Sequence, residues 1–335
     1  MQINQEKFYE LAEEITSVHN IMSYLSIVAM NISLDPHNIM VLYKQDKNMK
    51  TVCGASAWEK FGRTIKPNAP TFIINVPSLT KQGNGYKSEY CAAGVIDARY
   101  TMGSTFKPRP SPKNLTDTLV ALTNRTVELV PTNRLSSSDW AEYNEQHDVF
   151  YVSDKLQDSD RYAAIIKAYI KYTMKEKGIE DAELYYAVAY VLLLQYDLNV
   201  RSIRGQLFKD LNKRTTQEKY KFLCDVAELS RASMEKLNVA FLTCDETLLV
   251  NHIFTNVAPI FWKMSVKDKR ESLNKQIGQI NNRLTGDEQV LQILKSLNYK
   301  LTNCSDGDIE RLCAFENHNV PTYPPFELSI KNLEG

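Results

Sequence analysis

Four kinds of segment are missing from this 335-residue chain, and each absence removes a class of protein. No cysteines stand at C-x-x-C spacing. The six, Cys53, Cys91, Cys224, Cys244, Cys304 and Cys313, are scattered, which argues against a zinc knuckle or ribbon and against a secreted disulfide scaffold. The longest apolar run, Tyr185 to Leu194, is about half of the ~20 residues a membrane-spanning helix needs. Met1 to Glu14 carries acids in an amphipathic pattern and not a basic-plus-apolar leader, so the expected compartment is the cytoplasm, without membrane contact. Phosphate cradles of the P-loop and G-x-G-x-x-G types are also missing. His19, His37, His147, His252 and His318 stand alone, with no His, Cys or acid at ligand spacing.

Excess charge is lacking too. Forty Lys and Arg balance 40 Asp and Glu, whereas a strong nucleic-acid binder usually carries surplus cations. The average conceals a local bias: Lys44 to Lys113 holds nine Lys and three Arg against four acids, a net charge of +8. A basic surface is therefore expected in the N-terminal part, where a single-strand groove needs only a few phosphate contacts.

With 43% hydrophobic residues and this length, the chain suits two or three packed globular units. Phe8, Leu11, Ile15, Val18, Met22, Leu25 and Ala29 recur at helical steps and predict one long amphipathic helix. Ile39 to Lys44, Phe72 to Val76 and Gly94 to Asp97 read as strands, with Gly83-Asn84-Gly85 as a turn. The proline-punctuated segment Lys107 to Lys113 reads as a linker. Helical periodicity then dominates over Asp160–Lys177, Ala182–Tyr196, Thr216–Leu237 and Val266–Leu284.

The stretch from Pro36 to Pro77 is the most informative. It sets Trp58 beside Lys60, Arg63 and Lys66, ahead of the β-branched run Thr71 to Val76, which Pro77 is expected to stop. An aromatic among cations offers a π surface for a base and charge for a phosphate. The alternative is a helix-to-strand corner with Gly62 as a C-cap and Trp58 in the core. Both stand at this point.

The order His37-Asn38-Ile39, Gln45, Ala57-Trp58, Gly62-Arg63-Thr64-Ile65-Lys66, Phe72-Ile73-Ile74 and Pro77, followed by Val95 to Thr101, resembles the N-terminal domain of ArdC-type antirestriction proteins. The resemblance implies a domain that binds single-stranded DNA with little sequence preference. It also implies a metallopeptidase-like domain downstream, where HExxH on one helix aims two imidazoles at a zinc ion. Tyr162 to Tyr172 is similar to that helix in hydrophobic pattern, but Lys167, Ala168 and Lys171 stand where His, Glu and His belong. The third ligand position falls on Tyr186, with Glu183 one turn away. Three readings of the two lysines remain: an ammonium replacing the zinc and pairing with a buried carboxylate, added phosphate contacts, or a solvated helix face. The basic cluster Arg201, Arg204, Lys209, Lys213 and Arg214 divides likewise between strand contact and plain loop.

The expected fold class is α+β. A mixed α/β single-stranded-DNA-binding-like domain (1–115) is followed by a mostly helical, degenerate zincin-like domain (116–250) and a helical C-terminal region (251–335). The expected function is that of a non-catalytic single-stranded DNA-binding protein of a phage or other mobile element, requiring no cofactor. Tyr43, Trp58, Tyr86 and Tyr100 would stack on bases; Lys44, Lys60, Arg63, Lys66, Arg99 and Lys107 would hold phosphates. The alternative is an inhibitor or adaptor that binds a host defence or replication protein, its DNA surface vestigial. A working metallopeptidase lacks its ligands in this sequence.

Overall fold

The helical stripe at the N-terminus is broken, not continuous. In the computed structural model, which describes residues 3–82, 85–103, 123, 125–136, 139–203 and 205–241, α1 (Ile3–Ile15) and α2 (Ile21–Met30) replace the single expected helix. Thr16 Oγ donates back to the Ala12 carbonyl at 2.8 Å, and the Asn20 side-chain amide donates to the Glu14 carbonyl at 2.8 Å. These bonds satisfy α1's last turn and let the chain turn, leaving Val18 exposed although it lies on the predicted stripe.

The expected strand Ile39–Lys44 is a helix, α3 (Pro36–Gln45). Asp35 caps it, accepting from the Asn38 backbone N–H at 3.1 Å, and Pro36 occupies its first turn. The apolar run Ile39 to Tyr43 reads as a strand because it lacks periodicity. It lacks periodicity because this helix is buried on nearly every side.

Then come β1 (Val52–Cys53), α4 (Ala55–Lys60), β2 (Arg63–Ile65), β3 (Phe72–Gln82), β4 (Gly85–Asp97) and β5 (Thr101–Gly103). The first sheet runs β1-β4-β3, antiparallel throughout, and β2 pairs antiparallel with β5. Pro77 does not stop β3: it pairs opposite Tyr90, and the ladder extends to Gln82 opposite Gly85. Among the described residues, β3 pairs only with β4, so no third strand there needs the N–H that Pro77 lacks.

On its other edge β3 is met by α3 and not by a strand. The Asn38 side chain exchanges two hydrogen bonds with the Asn75 backbone, at 2.7 and 2.8 Å, and Gln45 does the same with Ile73, both at 2.9 Å. Two amides on one helix face thus serve as the neighbouring strand that β3 lacks.

A second sheet follows, with β6 (Thr126–Val130), β7 (Ala141–Asn144) and β8 (Val149–Ser153) in the order β6-β8-β7. β6 and β8 are parallel, whereas β7 and β8 are antiparallel. α5 (Asp158–Glu176) packs on β7 and β8, and α6 (Ala182–Gln195) packs on α5. A 3₁₀ segment (Gly205–Lys213) leads into α7 (Thr216–Phe241). These helices agree closely with the periodicity read from the sequence; the helix expected over Val266–Leu284 lies outside the described residues, as do the linker Lys107–Lys113 and the boundaries at 115 and 250.

The helices of the first two expected units share one hydrophobic core. It runs from Phe8 and Ile15 through Tyr24 and Ile39 to Tyr169, Leu192 and Phe222. α1 packs against α7 and α2 against α6, and the buried Tyr24 hydroxyl donates to the Leu223 carbonyl at 3.0 Å. Among the described residues, no helix is long and apolar enough to cross a membrane.

Candidate functional site

Trp58 lies on α4 with no solvent exposure, and its indole N–H donates to the Ile96 carbonyl at 2.8 Å. A buried indole with its donor satisfied is a core residue, so the structure takes the corner alternative and corrects the expected stacking role. Gly62 follows α4 at φ +68°, a left-handed position suited to glycine, and starts β2. Across from it, a Cβ on Gly103 would lie 2.6 Å from the Gly62 carbonyl oxygen, so β2 and β5 close only with glycine there. Arg63 fixes the same closure. Its guanidinium donates to Thr101 Oγ at 2.7 Å and to the Thr101 carbonyl at 3.3 Å, and sits 5.9 Å over the Trp58 ring.

Tyr43 is corrected for the same reason as Trp58: its ring is fully buried, against Tyr24, and burial pushes its hydroxyl well above the ordinary phenol range. Arg99 is paired with Asp46 at 2.6 Å and Asp97 at 3.0 Å, and the two carboxylates hold its guanidinium above its usual range. With two anions on it, Arg99 is a structural clasp and not the expected phosphate contact. Asp97, fully buried, also accepts from the Lys50 and Arg99 backbone N–H groups at 2.6 and 2.7 Å.

Lys66 combines anchorage with exposure. Its ammonium donates to the Arg99 carbonyl at 2.8 Å while the side chain stays at the surface. Lys44 is exposed on α3, and Tyr100 is partly exposed, 6.4 Å from the Phe72 ring. The Tyr86 backbone pairs opposite Lys81 in the β3–β4 ladder. Its side chain, that of Lys60, and all of Lys107 lie outside the described residues. The structure therefore brings Trp58, Arg63, Lys66, Arg99 and Tyr100 to one corner, but chiefly as partners of one another.

The second candidate centre lies on α5 and α6. Lys167, on α5, is 3% exposed, and its ammonium lies 3.2 Å from Asp139 Oδ1. The second Asp139 oxygen accepts from the Tyr185 hydroxyl at 2.8 Å, and the Tyr186 hydroxyl bonds to the same carboxylate. Burial together with this carboxylate pushes the Tyr185 hydroxyl far above the ordinary phenol range. Lys171, one turn beyond Lys167, is exposed, with its ammonium 6.0 Å from the Tyr185 ring centre. The two lysines thus divide: Lys167 is buried and has a carboxylate partner, itself half-buried, and Lys171 faces solvent.

Whether these residues suit the divalent metal of the resembling family follows from their donor chemistry. Lys167 and Lys171 bring positive charge where imidazoles would bring lone pairs, and Ala168 brings no donor. Asp139 already holds an ammonium and two hydroxyls. Glu183 accepts from Arg214 at 2.6 Å, and Arg214 also binds Asp181. This set does not fit a divalent cation, and among the described residues no group of three or more His, Cys, Asp or Glu is placed to hold a metal. In the basic cluster after α6, Lys213 pairs with Asp210 at 2.6 Å, Arg201 and Lys209 are exposed, and Arg204 lies outside the described residues.

Sequence reasoning did not find Asp139. It stands 28 positions from Lys167, at no motif spacing, and only the fold brings the two together. Nor did it assign Asn38 and Gln45 their strand-edge role.

No protein-family model matches the chain, and no curated protein matches it. Among solved structures, the chain is similar to the antirestriction protein ArdC of plasmid R388. The Mn(II)-bound structure aligns at a TM-score of 0.44 with 11% identity, covering 71% of this chain and 99% of that one. The metal-free structure aligns at 0.39 with 11% identity, covering 69% and 97%. The α+β class is as expected.

Proposed function

We propose that this chain is a non-catalytic single-stranded DNA-binding protein of a phage, plasmid or other mobile element, with an antirestriction-like role. One observation carries the reading. The blocks that resemble the ArdC N-terminal domain, far apart in sequence, are joined by direct hydrogen bonds: Asn38 to Asn75, Gln45 to Ile73, Trp58 to Ile96, Arg63 to Thr101 and Lys66 to Arg99. Bonds between residues of separate blocks support reading those blocks as one structural unit.

In this reading phosphates meet the exposed Lys44 and Lys66. Lys66 suits the task because its carbonyl bond fixes the ammonium before a phosphate arrives, which lowers the entropy cost of contact. The helical domain contributes no hydrolysis. The positions at which the resembling family carries His, Glu and His hold Lys167, Ala168 and Lys171, which bring neither imidazole ligands nor a carboxylate base.

The test is fluorescence anisotropy of the full chain with labelled single-stranded and duplex DNA of equal length at two salt concentrations. Preference for the single strand is expected, with log K falling by about 0.7 per phosphate contact for each decade of salt. Absence of binding at low salt overturns the reading, and stoichiometric zinc in the purified protein overturns its non-catalytic part.

A second reading has its own support. Arg63 and Arg99, the two arginines expected at the interface, are bonded within the fold, which suits an adaptor for a host defence or replication protein whose DNA surface is vestigial. A nuclease-resistant complex with one such protein, together with no DNA affinity, would favour it.

A further inference from the structure

We infer that Trp140 is a stacking platform for an unpaired base of single-stranded DNA, with the Lys171 ammonium within reach of it for the adjoining phosphate; this rests on the DNA-binding reading above. Trp140 is 44% exposed and its backbone is left-handed, at φ +66°. For a bulky residue that conformation is a steric outlier. Among the described residues, no other exposed large apolar side chain sits on such a backbone.

Strain of this kind persists only where the surroundings over-determine it, and here they do. On one side Asp139 is held by the buried Lys167 and by Tyr185. On the other, the Trp140 carbonyl accepts from the Ser153 N–H at 2.9 Å, locking the start of β7 to β8. The most deeply buried lysine of α5 therefore anchors the turn that displays an indole to solvent.

A positive charge is linked to this turn through Tyr185. Lys171 lies 6.0 Å from the ring centre of Tyr185, whose hydroxyl holds Asp139, the residue before Trp140. The nearby Glu142 carboxylate is bonded to the Ser136 N–H at 3.0 Å and to the Ser136 hydroxyl at 2.5 Å. An exposed indole can take a base, and an ammonium within reach of it the phosphate, without regard to sequence.

The experiment measures binding of labelled dT20 by the full-length wild type and by Trp140→Ala, Trp140→Phe and Lys171→Gln, each checked for native circular dichroism. Trp140→Ala should weaken binding about tenfold, the loss of one stacked base, and Trp140→Phe should recover most of it. Lys171→Gln should reduce the salt slope by about 0.7. An abasic oligonucleotide should bind wild type and Trp140→Ala alike. If wild type binds dT20 and Trp140→Ala stays within twofold of it, the platform is refuted while the DNA-binding reading stands. If wild type does not bind dT20 at low salt, both fall.

Discussion

Replacing Lys167 by methionine tests what the buried pair does for the fold. The substitution keeps the length of the side chain and removes its charge, taking from the Asp139 carboxylate its ammonium partner while the Tyr185 and Tyr186 hydroxyls stay. Breaking a buried ion pair from one side costs about 3–5 kcal/mol, because the remaining charge is stranded. Asp139 keeps 15% of its side-chain exposure and two hydroxyl donors, which places the cost at the lower end, about 3 kcal/mol. Neutralising both partners, as Lys167→Met with Asp139→Asn, removes the stranded charge while the amide still accepts from the phenols. The double variant should lie within about 1 kcal/mol of wild type, although the two single changes are each costly. Urea unfolding of the full chain followed by circular dichroism reads these values, compared at matched slopes. Salt should change them little, since the pair is shielded from solvent ions. A single variant that loses less than about 1 kcal/mol, or a double variant as unstable as the sum of the singles, would refute the pairing as an energetic unit.

Asn38→Leu should destabilise by about 2–4 kcal/mol, because it strands the N–H and carbonyl of Asn75, a residue only 2% exposed. Gln45→Leu should cost less, about 1–2 kcal/mol, since Ile73 is partly open to water; urea titration ranks the two. Trp58→Ala should cost about 3–5 kcal/mol, so any loss of DNA affinity would track loss of fold; Trp58→Phe, folded, should keep dT20 affinity within twofold. His37, bonded to the Tyr220 hydroxyl at 2.6 Å, is pushed by burial down to about 4 from 6.5, so the stability it gives is full above pH 6.5 and is lost as pH falls towards 4. Asp35, pushed by burial up to about 6 from 3.8, works in the opposite sense, its penalty relieved as pH falls through 6. His37 Nδ1 lies 3.9 Å from Asp35 Oδ1, so the two groups titrate together, and His37→Gln should gain stability relative to wild type as pH falls from 7.5 to 4. Thermal melts at the two pH values measure this, and an equal response from both proteins would refute it.

The sequence by itself determined the local elements whose burial is one-sided. α5 and α7 were legible because an amphipathic helix writes its period into the residues. α3 was misread because full burial erases that period, and the break after α1 was missed because Thr16 and Asn20 act through backbone bonds that leave no mark on hydrophobic spacing. The family resemblance was legible as well, since its residues are those that bond the N-terminal corner together. What each of those residues does was decided only by tertiary structure. Trp58 read equally as platform or core until its indole met the Ile96 carbonyl, 38 positions away, and Arg99 read as a free cation until Asp46 lay against it. The partnership of Lys167 with Asp139, and the exposed Trp140 that it anchors, likewise depend on one strand turn lying over one helix. Side-chain charge and shape are fixed by the sequence, but whether a group faces water or a partner is set by contacts between segments far apart along the chain.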